Sequence, residues 1–173
     1  MKFHYISPYS SDSPPKIGDA INKAVRRIDP HNDDWIIHLD QDACFLLPKD
    51  KAKFEQALSE CDYQVVGTLT NRLNPVICKE QVVPSLYNEY DVRKHVEYAS
   101  SIQSGEFKDC HVVALACMAF KASYWRFTDG FDNTPQLDIN FSRGAKTAIY
   151  TGVYVFHVYR MLNGVKDITH LIK

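Results

Sequence analysis

The chain has no two cysteines at C-x-x-C spacing and no zinc-ligand spacing of any kind. Its cysteines, at 44, 61, 78, 110 and 117, are odd in number. They read as reduced thiols used as small apolar residues in a cytosolic protein. An excess of charge of one sign is also lacking. The formal net charge is −1, which argues against nucleic-acid or membrane-surface binding driven by bulk charge. No apolar run is long enough to span a bilayer. The first residues, Met1-Lys2-Phe3-His4-Tyr5, carry no signal-peptide h-region, so the expected location is cytoplasmic. There is no internal repeat, low-complexity tract or interdomain linker. The 173 residues, 45% apolar and 24% charged, predict one ordinary globular domain.

Within that frame the hydrophobic pattern alternates strands with helices. Lys2 to Ser7 reads as a strand, followed by a Ser- and Pro-rich loop to Pro15. Ile17, Ile21, Ala24, Val25 and Ile28 fall at helical spacing, and Asp29-Pro30 stops that helix. Trp35 to Leu39 is a short apolar run rich in β-branched and aromatic residues, a buried strand. Further on the pattern predicts a helix over Lys49–Cys61 and a strand over Tyr63–Leu69. A polar excursion follows from Thr70 to Pro84, then a helix from Glu89 to Ser101. His111 to Phe120 reads as one central strand, Lys121 to Phe127 as a short helix and Leu137 to Ala145 as a helix. Thr147 to Phe156 is the last strand, running into His157-Val158-Tyr159-Arg160. Strand–helix–strand at the start predicts an α/β domain with an open, mostly parallel sheet flanked by helices.

Four side chains stand at places where such a sheet gathers ligands. Asp40 and Asp42 end the Trp35 strand, Asp138 opens a helix after a glycine-bearing turn, and His157 ends the last strand. Carboxyl ends of strands share one rim in an open α/β sheet. Two carboxylates two residues apart repel each other, and oxygen ligands favour a hard cation such as Mg²⁺ or Mn²⁺. Each residue also has a plainer reading. The Asp-x-Asp can be a solvated acidic turn, Asp138 a helix-start acid and His157 a packed histidine. His4, His31, His38, His95, His111 and His170 take that plainer reading.

The order of these motifs resembles a known family. Lys16-Ile17-Gly18-Asp19-Ala20-Ile21-Asn22, Ile36-Ile37-His38-Leu39-Asp40-Gln41-Asp42 and Val65-Val66-Gly67-Thr68 come first. Met118-Ala119-Phe120-Lys121 with Asp129-Gly130-Phe131-Asp132 follows. Leu137-Asp138-Ile139-Asn140-Phe141 and Gly152-Val153-Tyr154-Val155-Phe156-His157 close the series. Together, over roughly residues 16–160, they resemble a small glycosyltransferase of the GT-A (Rossmann-like) fold, close to the family 2 type. Two features depart from the family pattern. The part before Lys16, which in the family helps build the nucleotide pocket, is reduced. Leu137 stands where a glutamate usually precedes the aspartate.

The resemblance implies a metal-dependent transfer of a sugar from a UDP- or GDP-linked donor to an acceptor hydroxyl, with inversion. Mn²⁺ or Mg²⁺ would be held by Asp42 and His157, with Asp40 reaching the metal directly, through water, or meeting the donor ribose. Asp138 would be the general base. Ser7, Pro8, Tyr9, Asn22 and Gln41 are expected on the donor side. Trp125, Gly130 and Phe131 are expected on the acceptor side, the two aromatics being equally suited to the core. Two other readings remain open: a phosphatase-like hydrolase with Asp40 as nucleophile, and a nucleotide-sugar or carbohydrate binding module without turnover.

Overall fold

A computed structural model describes residues 1–73 and 79–158. Pro75, Cys78, Tyr159, Arg160 and His170 lie outside the described residues.

The first helix, α1 (Ile17–Ile28), follows the sequence pattern residue for residue. Ile21 and Val25 are fully buried, each contributing about 1.5–3 kcal/mol by removal from water. Asp29 ends the helix in the left-handed region (φ 46°), its N–H bonded to the Val25 carbonyl. Pro30 then prevents a further turn. The helix links two parallel neighbours, β1 (Phe3–Ile6) and β2 (Trp35–Leu39), with Ile6 opposite His38. Trp35, Ile36 and Ile37 are buried on alternating faces. A strand covered on both sides reads as an unbroken apolar run.

The remaining elements are β3 (Ala43–Phe45), α2 (Pro48–Glu60), β4 (Val65–Thr70), α3 (Val92–Ser101) and β5 (Phe107–Asp109). They are followed by β6 (Cys117–Lys121), α4 (Ala122–Phe127), α5 (Leu137–Ser142) and β7 (Thr147–His157). The seven strands of the described residues form one sheet in the order β1-β2-β6-β4-β7-β3, with β5 also on β7. Helices α1, α4 and α5 pack on one face through Ile21, Val25, Tyr124 and Phe141. Helix α2 covers the other through Phe54, Ala57 and Leu58. Helix α3 covers Tyr154 and Phe156 near the end of β7. The domain is α/β, as the sequence predicts.

The sheet is mixed, and this corrects the expectation of a mostly parallel one. Among the strands of the described residues, only β1–β2 and β4–β7 pair in parallel. The pairings β2–β6, β4–β6, β3–β7 and β5–β7 are antiparallel. Strand β6 enters between β2 and β4 from the opposite direction. The predicted strand from His111 is also shorter, because residues 111–116 form a loop in which Val113, Ala114 and Ala116 are buried. There the Val113 N–H is bonded to Ser142 Oγ and the Ala114 N–H to Gln81 Oε1. Apolar residues tethered by side-chain acceptors look the same in sequence as strand residues.

Despite the mixed directions, one rim collects the ends that matter. It receives the carboxyl ends of β1, β2, β4 and β7 and the amino end of β6, where Cys117 faces Leu39.

Candidate functional site

The acidic pair is shaped by a tight turn. The Ala43 N–H donates to the Asp40 carbonyl at 3.0 Å, closing Asp40-Gln41-Asp42-Ala43 as a β-turn. The chain then enters β3, which pairs antiparallel with β7 so that Ala43 lies opposite His157. The Val158 N–H donates to the Asp42 carbonyl at 2.8 Å. Two segments 115 residues apart in sequence are thus fastened together by backbone pairing. Donor atoms of Asp40, Asp42 and His157 all lie within 4.8 Å of one another. His157 Nε2 is 3.2 Å from Asp42 Oδ1 and 3.5 Å from Asp40 Oδ2.

His157 is held from behind. Its Nδ1 lies 2.7 Å from the Arg72 carbonyl oxygen. A carbonyl only accepts, so Nδ1 carries the proton and Nε2 faces the two carboxylates. The His157 backbone is gripped as well: its N–H donates to Asn71 Oδ1 at 2.8 Å, and Asn71 Nδ2 donates to its carbonyl at 2.9 Å. Asn71 is fully buried. An imidazole oriented by a carbonyl on its far nitrogen is the arrangement that metal-binding histidines require.

Charge is poised to match. Burial disfavours the imidazolium, but Asp42, the Arg72 carbonyl and Asp40 outweigh it and raise the His157 pKa. The bond from His157 in turn lowers the pKa of Asp42 against the effect of burial. In its protonated form the imidazole directs an Nε2–H toward the two carboxylates. A metal would displace that proton, because only neutral imidazole ligates. The donor set of two carboxylates and one imidazole can hold a divalent ion.

Asp138 sits in the first turn of α5, half-buried, with Oδ1 accepting the Ile139 N–H at 2.9 Å. Burial raises its pKa, and the charge of Asp40 adds to the rise. That effect links Asp138 electrostatically to Asp40 of the cluster. A carboxyl group raised in this way is suited to general-base work.

Asn22 belongs to the support of this helix. It is 6% exposed. Its Oδ1 accepts from Trp125 Nε1 and from the Phe131 N–H, each at 2.9 Å, and its Nδ2 donates to the Phe131 carbonyl at 2.7 Å. Expected on the donor side, it clamps the turn that leads into α5. Gly130 (φ +86°) lies against it, where a Cβ would collide with Asn22 Oδ1. Gly18 likewise leaves room for the Asp132 carbonyl. The glycine and asparagine of α1 therefore serve to seat the 130–132 turn.

The two expected acceptor aromatics are core residues. Trp125 is 9% and Phe131 5% exposed, and Phe131 stacks on Phe141 with ring centroids 3.8 Å apart. Their packing leaves them shaping the turn rather than presenting a platform. Ser7, Pro8 and Tyr9 leave β1 at the rim beside β2, with Tyr9 70% exposed. Gln41 is exposed in the acidic turn.

Asn71 and Arg72 were hidden in the polar excursion from Thr70. The signal that could have found them is the one that found Asp40: they are the first residues past the carboxyl end of a buried strand. No family model matches the chain, and no curated protein matches it in sequence.

Proposed function

We propose that this protein is a metal-dependent glycosyltransferase that moves a sugar from a nucleotide-diphosphate donor, UDP- or GDP-linked, to an acceptor hydroxyl with inversion. The observation that carries the reading is the Asp40–Asp42–His157 cluster at the strand rim, its histidine oriented by the Arg72 carbonyl. Asp42 and His157 would be the direct ligands, and Asp40 would either join them or meet the donor ribose. A divalent ion held there would supply positive charge to offset that on the departing diphosphate.

Asp138 takes the proton of the acceptor hydroxyl. As the oxygen bonds to the anomeric carbon, the carbon–oxygen bond to the diphosphate breaks on the opposite face. The raised pKa of Asp138 supports this role, because a stronger base accepts the proton more readily. Ser7, Pro8, Tyr9 and Gln41 line the same rim and belong to the donor side. No helix among the described residues is long and apolar enough to cross a membrane. The four described cysteines are free thiols, which supports a cytoplasmic setting.

A panel of nucleotide sugars incubated with and without Mn²⁺ tests the reading. Release of nucleoside diphosphate that needs Mn²⁺ and disappears in Asp42→Ala is the expected result. Phosphate release from simple phosphomonoesters would replace it with the hydrolase. Donor binding without turnover on any acceptor would leave a binding module.

A further inference from the structure

Helix α5, which carries Asp138 in its first turn, has only six residues. So short a helix keeps its place through tertiary contacts. Phe141 stacks on Phe131, and the Tyr124 hydroxyl lies 3.0 Å from the Phe141 carbonyl. Asn140 Nδ2 donates to Asp132 Oδ2 at 2.7 Å. These contacts tie α5 to α4 and to the turn before it.

One further bond runs toward the acidic turn. Ser142 Oγ accepts the Val113 N–H at 3.2 Å. Two and three residues on, the same loop meets the end of β2. The Leu115 carbonyl accepts from His38 Nδ1 at 2.8 Å, and the Ala116 carbonyl accepts the Asp40 N–H at 3.2 Å. The loop also has a mooring of its own. The Ala114 N–H donates to Gln81 Oε1 at 2.6 Å, and Gln81 Nε2 donates to the Thr68 carbonyl on β4 at 3.3 Å. Residues 113–116 are thus fixed to β2 and β4, and Ser142 fixes α5 to them. Ser142 is 2% exposed and Val113 fully buried, so solvent does not compete for the bond. Asp138 and Ser142 stand four residues apart and share one face of α5. The face that meets Val113 is therefore the face that bears Asp138. The influence of the Asp40 charge on Asp138 agrees with that placement.

We propose that Ser142 is a positioning residue: through the 113–116 segment it holds the Asp138 helix in fixed register with the Asp40–Asp42–His157 cluster. A general base must stand within hydrogen-bond reach of its proton, and misplacement on the order of 1 Å costs about a hundredfold in rate. That consequence for transfer rests on the transferase reading, whereas the tie between helix and cluster does not.

Nuclear magnetic resonance of the whole protein loaded with Co²⁺, a divalent ion that the same donor set accepts, tests the tie. The pseudocontact shifts of the α5 amides report where the helix stands relative to the ion, and those of the β6 amides give a fixed frame. In Ser142→Ala the α5 shifts change, the β6 shifts stay, and Co²⁺ affinity is unchanged, because Gln81 and His38 still hold the loop. In the transfer assay kcat falls at least about tenfold, with the KM for the donor unchanged. Ser142→Thr, which keeps the hydroxyl, restores both readouts. Ala57→Gly loosens α2 on the opposite face of the sheet and leaves both as in wild type. Unchanged α5 shifts in Ser142→Ala would overturn the proposal. So would a failure of Ser142→Thr to restore them, or the same change in Ala57→Gly. Wild type that binds no Co²⁺ would remove the centre against which Asp138 is held, and the proposal with it. Hydroxyl-dependent α5 shifts without sugar transfer by any variant or wild type would remove the transferase and keep the tie.

Discussion

Asp34 stands just before β2 and Asp42 just after it, and each lies within hydrogen-bond distance of a histidine. Asp34 is 4% exposed. It accepts from the Lys2 N–H at 2.7 Å and the His31 N–H at 2.9 Å, and it meets His4 Nε2 at 3.1 Å. Burial opposes its charge, but these bonds prevail and hold its pKa at about 2. The Asp42 end has two carboxylates around one histidine nitrogen. Asp34 joins one carboxylate to enough donors to satisfy it, as a structural group must be. At the other end negative charge is in excess, and the shared imidazole is braced from outside. Residue type alone does not separate the two ends. The number of donors converging on each carboxylate does.

Breaking each end in turn should give opposite results. The largest effect belongs to Asp42→Ala: Mn²⁺-dependent donor cleavage falls about ten-thousandfold, the several kcal/mol that a metal contributes to a leaving diphosphate. Its unfolding free energy in urea stays within about 1 kcal/mol of wild type, because Asp42 is exposed. Next is Asp138→Asn, with transfer down about a thousandfold, as for loss of a general base, and donor affinity retained in equilibrium binding. Unchanged transfer would remove Asp138 from that role.

Asp34→Ala reverses the pattern. Loss of the shared acceptor costs about 3 kcal/mol of stability in urea unfolding, while Mn²⁺ affinity is preserved. A smaller loss, about 1–2 kcal/mol, follows Gly130→Ala, where a Cβ meets Asn22 in a backbone conformation that favours glycine. The smallest effect is in pH dependence. The folded pKa of Asp34, about 2, lies below the ordinary 3.8. Its stabilisation is therefore full above the ordinary value and is lost as pH falls toward 2. The stability gap between wild type and Asp34→Asn should narrow over that interval. A constant gap would mean that the carboxylate charge is not what the donors stabilise.

The sequence made α1 legible because its apolar stripe, its basic last turn and Asp29-Pro30 all agree. Asp40, Asp42 and His157, which the structure brings together, were legible because strand ends are marked locally. The three-residue strands β3 and β5 were not legible, because pairing with β7 defines them. The direction of β6 is likewise set by its neighbours and by the loop before it, and nothing in Cys117–Lys121 encodes it. Asp34 lies between the helix stop and the β2 run and carries no motif of its own. Its donors come from Lys2, His4 and His31, and only the parallel pairing of β1 with β2 brings the first two to it. Asn22, Trp125 and Phe131 were singled out as binding residues, and the structure shows Asn22 bonded to Trp125 and to the Phe131 backbone with both aromatics buried. A sequence does not distinguish a side chain that contacts a ligand from one that seats the turn beneath it.

The central claim is that the carboxyl rim of β2 and β7 is a divalent-metal centre. Manganese titration followed by electron paramagnetic resonance, on wild type, Asp42→Ala and Asp34→Ala, tests it most directly. One bound Mn²⁺ in wild type, retained in Asp34→Ala and lost in Asp42→Ala, is the predicted result. No bound Mn²⁺ in wild type, or equal binding by Asp42→Ala, would contradict it.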